Sequence, residues 1–267
     1  MFVAMQKQWA LWGSTALLSL CLSSLRSDNL PIATPHTGNR LQSLPRLTIW
    51  IWERREDLRD LDPTTTAVAY LDRTLVLSRS GVTIEKRREP LLLPASPALR
   101  LIPVVRIETS KDAPLDELSV EAIVEAIIPA ITPRSAALQI DFDARRSERD
   151  WYREVLRRVR QKLPPNTPLS VTALASWCSY DNAWMQGLPI DEAVPMLFRM
   201  EPDRRRAAAT GALNHPEFTL REPLCMDSVG ISTHERWPVE LAGRRIYIFP
   251  DAGWQRDGLK ETVKQLW

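Results

Sequence analysis

From Leu47 onward the chain alternates short apolar, β-branched runs with longer segments of helical spacing. The runs are Leu47–Trp52, Thr66–Leu77 (one strand or two short ones), Leu101–Ile107, Ala136–Phe142, Leu169–Ala175, Ala193–Met200, Ser228–Ser232 and Arg245–Pro250. Between them, helical spacing is clearest over Leu115–Ile131, which opens with Asp116 and Glu117, over Glu148–Leu163, which stops at Pro164-Pro165, and over Gly258–Trp267. Strands that are apolar along both faces and separated by helices pair in parallel and are buried on both sides. Eight of them predict a single α/β domain of the (β/α)8 TIM-barrel type over residues 47–267, rather than an open doubly wound sheet. The stretch Asp57–Leu99 offers no convincing helix after its strand, so the second and third units are expected to be irregular.

The N-terminal segment has a different pattern. Lys7 precedes the uncharged run Trp9–Leu25, and small residues stand at Ser23 and Ser24. Residues 1–23 therefore read as a secretory signal, with an uncleaved membrane anchor over residues 9–25 as the alternative. Residues 24–46, rich in Pro, Thr, Asn and Ser, read as a linker. Export to the periplasm is the expected localisation, and the anchor is the sole route by which the sequence implicates a membrane. Cleavage near Ser23 removes Cys21 and leaves Cys178 and Cys225. These two either form a bridge or remain buried thiols, and the strand assignment places them toward opposite ends of the domain.

Composition changes this picture mainly by exclusion. The 267 residues are 44% hydrophobic and 25% charged, as in an ordinary globular protein, and 35 Lys+Arg against 33 Asp+Glu are interspersed rather than gathered into a stripe. No nucleic-acid partner is expected. None of the 9 glycines forms a dinucleotide loop, a phosphate loop or an esterase elbow. With 3 histidines and 3 cysteines, and with the His234-Glu235-Arg236-Trp237-Pro238 run failing as HExxH, neither a metal nor another cofactor is expected.

In a parallel barrel the chemistry gathers at the C-terminal strand ends. The polar residues there are Glu53, Glu108, Asp141, Asp143, Ser176, Arg199, Glu201, His234, Glu235 and Asp251. Asp141 and Asp143 are the most informative. Strand alternation sends both to one side, and charge on a buried strand is costly unless paired or functional. Either they are a structural pair held by arginine, with Arg199 as the expected partner, or they do chemistry. Asp143 and Glu235 would face each other across the mouth, as the two carboxyls of a glycosidase must. Asp141, Asp143 and Glu235 are thus the candidate catalytic groups. Among 10 tryptophans, Trp177 is the candidate sugar-stacking wall because it directly follows a strand. Ser176, Arg199, Glu53 and Asp251 complete the candidate substrate-binding set.

The segments Leu138–Ala144 (LQIDFDA), Leu169–Cys178 (LSVTALASWC) and Asp191–Met200 (DEAVPMLFRM) resemble the bacterial family catalogued as domain of unknown function 3142. The resemblance extends from about Leu47 through Glu235. It implies an exported protein with a barrel of the glycoside-hydrolase type and brings no established activity. The Asp141–Asp143 strand also resembles, more remotely, the DxxDxDxE strand of chitinase-like barrels. Arg145 stands where that motif has its proton-donating glutamate, and a guanidinium cannot protonate a glycosidic oxygen at neutral pH. Two functions follow as expectations: a glycoside-hydrolase-like enzyme of the cell envelope acting on a polysaccharide or glycan, or a non-catalytic barrel that binds a glycan or a protein.

Overall fold

A computed structural model describes residues 40–198, 219–233 and 243–254. The strands are β1 (Leu47–Ile51), β2 (Glu56–Asp57), β3 (Thr66–Ser78), β4 (Gly81–Lys86), β5 (Leu91–Leu92), β6 (Leu101–Thr109), β7 (Leu138–Asp141), β8 (Leu169–Leu174), β9 (Glu192–Met196), β10 (Ser228–Ser232) and β11 (Arg245–Phe249). Eight of them, β1, β3, β6, β7, β8, β9, β10 and β11, pair in parallel in chain order, and β1 pairs with both β3 and β11. The sheet is therefore closed, and the fold is the TIM-like barrel expected from the eight apolar runs.

Alternation sorts the side chains of each strand. Trp50, Ala67, Ala69, Ile102, Val104, Val194, Tyr247 and Phe249 fill the barrel interior. Leu47, Ile49, Ile51, Val229, Ile231, Ile246 and Ile248 form a core outside the barrel on one side. On the other side Leu138, Ile140, Val171 and Ala173 pack with the two α-helices of the described residues, α1 (Glu117–Ile127) and α2 (Arg149–Lys162). Helix α1 starts where Asp116 accepts the Ser119 amide at 2.9 Å and Ser119 Oγ accepts the Asp116 amide at 3.1 Å, a reciprocal cap. Helix α2 ends before Pro164 and Pro165, which cannot continue it. Arg158 of α2 ties the helices together through Glu117 at 2.7 Å and Glu121 at 3.0 Å.

The irregular second unit is a β-hairpin. β4 runs antiparallel to the outer half of β3, and no helix lies between β3 and β6 in the chain. A bulge lets this happen: the β3–β6 register skips Asp72, passing from Leu71 opposite Val104 to Arg73 opposite Val105. One extra residue inverts the alternation, so Leu75 and Leu77 turn outward into the α1 core while Leu71 faces the interior. β3, β4 and β6 thus rise beyond β1 as a wall on one side of the barrel mouth.

The fold begins earlier than Leu47. A 3-10 turn over Leu41–Ser43 carries Leu41 and Leu44 into the interior cluster at the N-terminal end of the barrel, so the last residues of the expected linker close its base. Several polar residues in the interior partner one another: Trp50 donates to Gln139 at 2.7 Å, Gln139 to Ser170 at 3.0 Å, and Tyr247 and Arg245 to Glu192 at 2.5 and 2.8 Å, whereas the buried Thr48 hydroxyl has no partner among the described residues. Cys178 and Cys225 are joined in a disulfide with Cα atoms 5.8 Å apart. The strand assignment had separated them. They meet because the segment leading into β10 runs beside the turn after β8, where the Arg221 amide donates to the Cys178 carbonyl at 2.7 Å.

Candidate functional site at the barrel mouth

Asp141, the last residue of β7, points inward and is 3% exposed. Its Oδ2 accepts a hydrogen bond from Arg106 Nη1 at 2.7 Å, and its Oδ1 accepts one from Thr172 Oγ1 at 2.6 Å. Both oxygens are engaged as acceptors, which suits a fixed carboxylate and not a proton donor. Arg106, on β6, also donates from Nε to Glu108 Oε1 at 2.9 Å. Burial alone would depress the Arg106 guanidinium, but Asp141 and Glu108 outweigh it and raise its pKa. The guanidinium lies 5.7 Å from the centroid of the Trp52 ring. A row of aromatic rings continues inward: Trp52 to Trp50 at 4.3 Å, Trp50 stacked on Phe249 at 5.1 Å, and Phe249 to Phe198 at 4.9 Å. Gly230 makes room for this row, because a Cβ there would lie 3.0 Å from the Phe249 ring.

Arginines fasten the loops around this mouth. Arg87 donates to the carbonyls of Trp52 at 2.8 Å and Arg54 at 2.5 Å, although burial lowers its pKa. Arg54 in turn bonds the Pro250 carbonyl at 2.6 Å and Glu56 at 2.6 Å. Gly253, at φ 108°, lets Glu56 approach so closely that a Cβ would meet its Oε1 at 2.7 Å. Glu53 is exposed beside this loop and accepts the Arg88 amide at 2.8 Å. Asp251 accepts from Ser232 at 2.8 Å. These two carboxylates belong to the fastened rim of the mouth.

Asp143 is placed differently from its sequence expectation. β7 ends at Asp141, and Asp143 is exposed past the strand end whereas Asp141 is buried. It lines a separate cleft of about 480 Å³ between the segments that follow β7 and β8. The arginine that holds Asp141 is Arg106, whereas Arg199, Glu201, His234 and Glu235 lie outside the described residues. Trp177 and Ser176 stand in a 3-10 turn, Ala175–Cys178, that borders this cleft. Trp177 is 1% exposed and packs edge-on against Trp184 at 4.8 Å, so it is a core residue and not an exposed stacking wall. Arg145, at the chitinase-donor position, bonds Glu148 and Thr109. Tyr152 under Phe142 is buried, and its hydroxyl is pushed well above 10 by burial first and then by Asp141 and Asp143. Among the described residues no group of three or more His, Cys, Asp or Glu is placed to hold a metal ion.

Sequence reasoning placed Asp141 but missed Arg106, Thr172, Trp52, Phe198 and Phe249. The signal for Arg106 was present in LIPVVRIET, where a charge interrupts a buried run and Glu108 follows two residues later on the same face.

No family model matches the chain, and no curated protein matches it. Among solved structures it is similar to the Bacillus cereus spore cortex-lytic enzyme SleL, at 17% identity over 56% of this chain and 40% of that chain, with a TM-score of 0.38. The match thus spans well under half of that enzyme. The architecture stands on the strand pairings themselves.

Proposed function

We propose that this protein is a carbohydrate-recognising barrel of the cell envelope that holds a glycan at the barrel mouth. The observation that carries this reading is the Trp52–Arg106–Glu108–Asp141 constellation. An indole face offers stacking to the apolar face of a sugar ring, and the guanidinium and the exposed Glu108 carboxylate offer directional partners to its hydroxyls, with buried Asp141 holding the guanidinium in place. The cation is locked from two sides, so these partners are fixed before a ligand arrives. The disulfide Cys178–Cys225 supports an oxidising compartment, as does the expected export role of residues 1–23. Fusion of that segment to a reporter active only outside the cytoplasm tests the compartment.

The binding reading is tested by a glycan-array screen followed by calorimetric titration of the best saccharide. Trp52→Ala should weaken binding about tenfold, the equivalent of roughly 1.4 kcal/mol from a lost stacking face. An array with no hits would overturn it. Glycoside hydrolysis is the second reading, favoured by Glu108, a 51% exposed carboxylate that shares Arg106 with Asp141. Arg145 does not supply the acid of a chitinase-like mechanism, and this reading assigns Glu108, held as a carboxylate by Arg106, the part of nucleophile or base. Glu108→Gln should then abolish turnover and retain binding.

A further inference from the structure

We infer that the cleft beside the mouth is a subsite for an acidic sugar, so that the bound saccharide carries a carboxylate on the ring lying over the segments after β7 and β8. The inference rests on the binding reading above and names its ligand class. Asp143 on one wall follows Asp141 by two residues, and Leu174 on the other follows Thr172 by two, so the cleft adjoins the strand ends that carry the Asp141–Thr172 hydrogen bond. A saccharide seated in the mouth therefore reaches the cleft with its next ring.

The cleft's charged lining is three arginines, Arg145, Arg146 and Arg149, against two carboxylates, Asp143 and Asp181. Asp181 is clamped by Arg149 through both oxygens, at 3.1 and 2.5 Å, and is thereby neutralised within the wall. Arg145 turns one nitrogen to buried Glu148. Arg146, 83% exposed at the cleft edge, makes a longer ion pair with Asp181 at 3.8 Å. Tyr180, 40% exposed, adds a ring face. Glu148 Oε2 accepts the Arg145 amide at 2.6 Å at the start of the 3-10 turn Arg146–Glu148 that leads into α2, and the selectivity is assigned to the guanidinium groups. A planar fork beside an aromatic face suits the carboxylate of a uronic acid.

The test uses the full chain and two probes that differ by one charge: xylobiose carrying a single terminal glucuronate, and the methyl ester of the same trisaccharide. At low salt the wild type should bind the acid at least tenfold more tightly than the ester. Arg146→Ala should reduce that ratio, and Arg146→Glu should bring it to one or below. A ratio near one in the wild type, with the ester still bound, overturns the acidic subsite and leaves the mouth reading standing. A preference that survives Arg146→Glu also overturns it, and so does binding of neither probe, while the mouth reading stands or falls on the glycan array.

Discussion

Asp141 shows how a single buried carboxylate organises the mouth. Arg106 and Thr172 satisfy its two oxygens from the neighbouring strands on either side. Asp141→Asn keeps the shape but replaces an acceptor with a donor facing Arg106. It should lower stability by about 1–3 kcal/mol in urea unfolding, whereas Thr172→Val, which removes one neutral donor, should lower it by about 1 kcal/mol. Equal stability of Asp141→Asn and wild type would mean that the pair is not formed. The rule that charge on a buried strand needs a partner was enough to find Asp141 in the sequence, and applied to β6 it also finds Arg106. The ranking of tryptophans was not legible in the same way. Trp52 and Trp177 both follow strands, but β1 runs on into a mouth loop pinned by Arg87, while β8 passes into a 3-10 turn that carries Trp177 into the outer core.

At the scale of elements, the eight strands were readable to within a few residues because each is a dense apolar run between turn residues. What was not readable is the bulge at Asp72. Sequence shows TAVAYLDRTLVL as one long run with a charged pair inside it, and nothing local states that the alternation inverts there. The same limit hid the strand end after Asp141, past which Asp143 is exposed. Two substitutions test how elements are held. Gly230→Ala forces a Cβ against Phe249 and the Pro195 carbonyl at 3.0 and 3.3 Å, and should cost about 1–3 kcal/mol by overpacking while disturbing the aromatic row. At the start of α2, burial would raise the Glu148 carboxyl, but Arg145 and Thr109 hold it below its ordinary value of 4.5. A depressed carboxyl contributes stability that is complete above that value and is lost as pH falls through the folded-state pKa. Glu148→Gln should therefore melt lower at pH 7 and lose less than the wild type between pH 5 and about 2. Parallel pH profiles for the two proteins would remove the assigned role.

At the scale of the whole molecule, closure was legible from strand count, and the disulfide was not. Its half-cystines lie 47 residues apart, and they meet because residues 219–225 run beside the turn after β8. Closing a loop of that length stabilises by about 4 kcal/mol in the chain-entropy description, so Cys178→Ser with Cys225→Ser should lower the melting temperature by several degrees at unchanged pH. An unchanged melting temperature would show that the bridge does not form in the folded protein. The central claim is that the mouth, and not the helical exterior or the base, receives a saccharide. A crystal structure of the protein soaked with its tightest-binding saccharide tests this most directly. The sugar ring should lie over Trp52 with hydroxyls within about 3 Å of Arg106 or Glu108, and a sugar seated elsewhere, with the mouth empty, would contradict the claim.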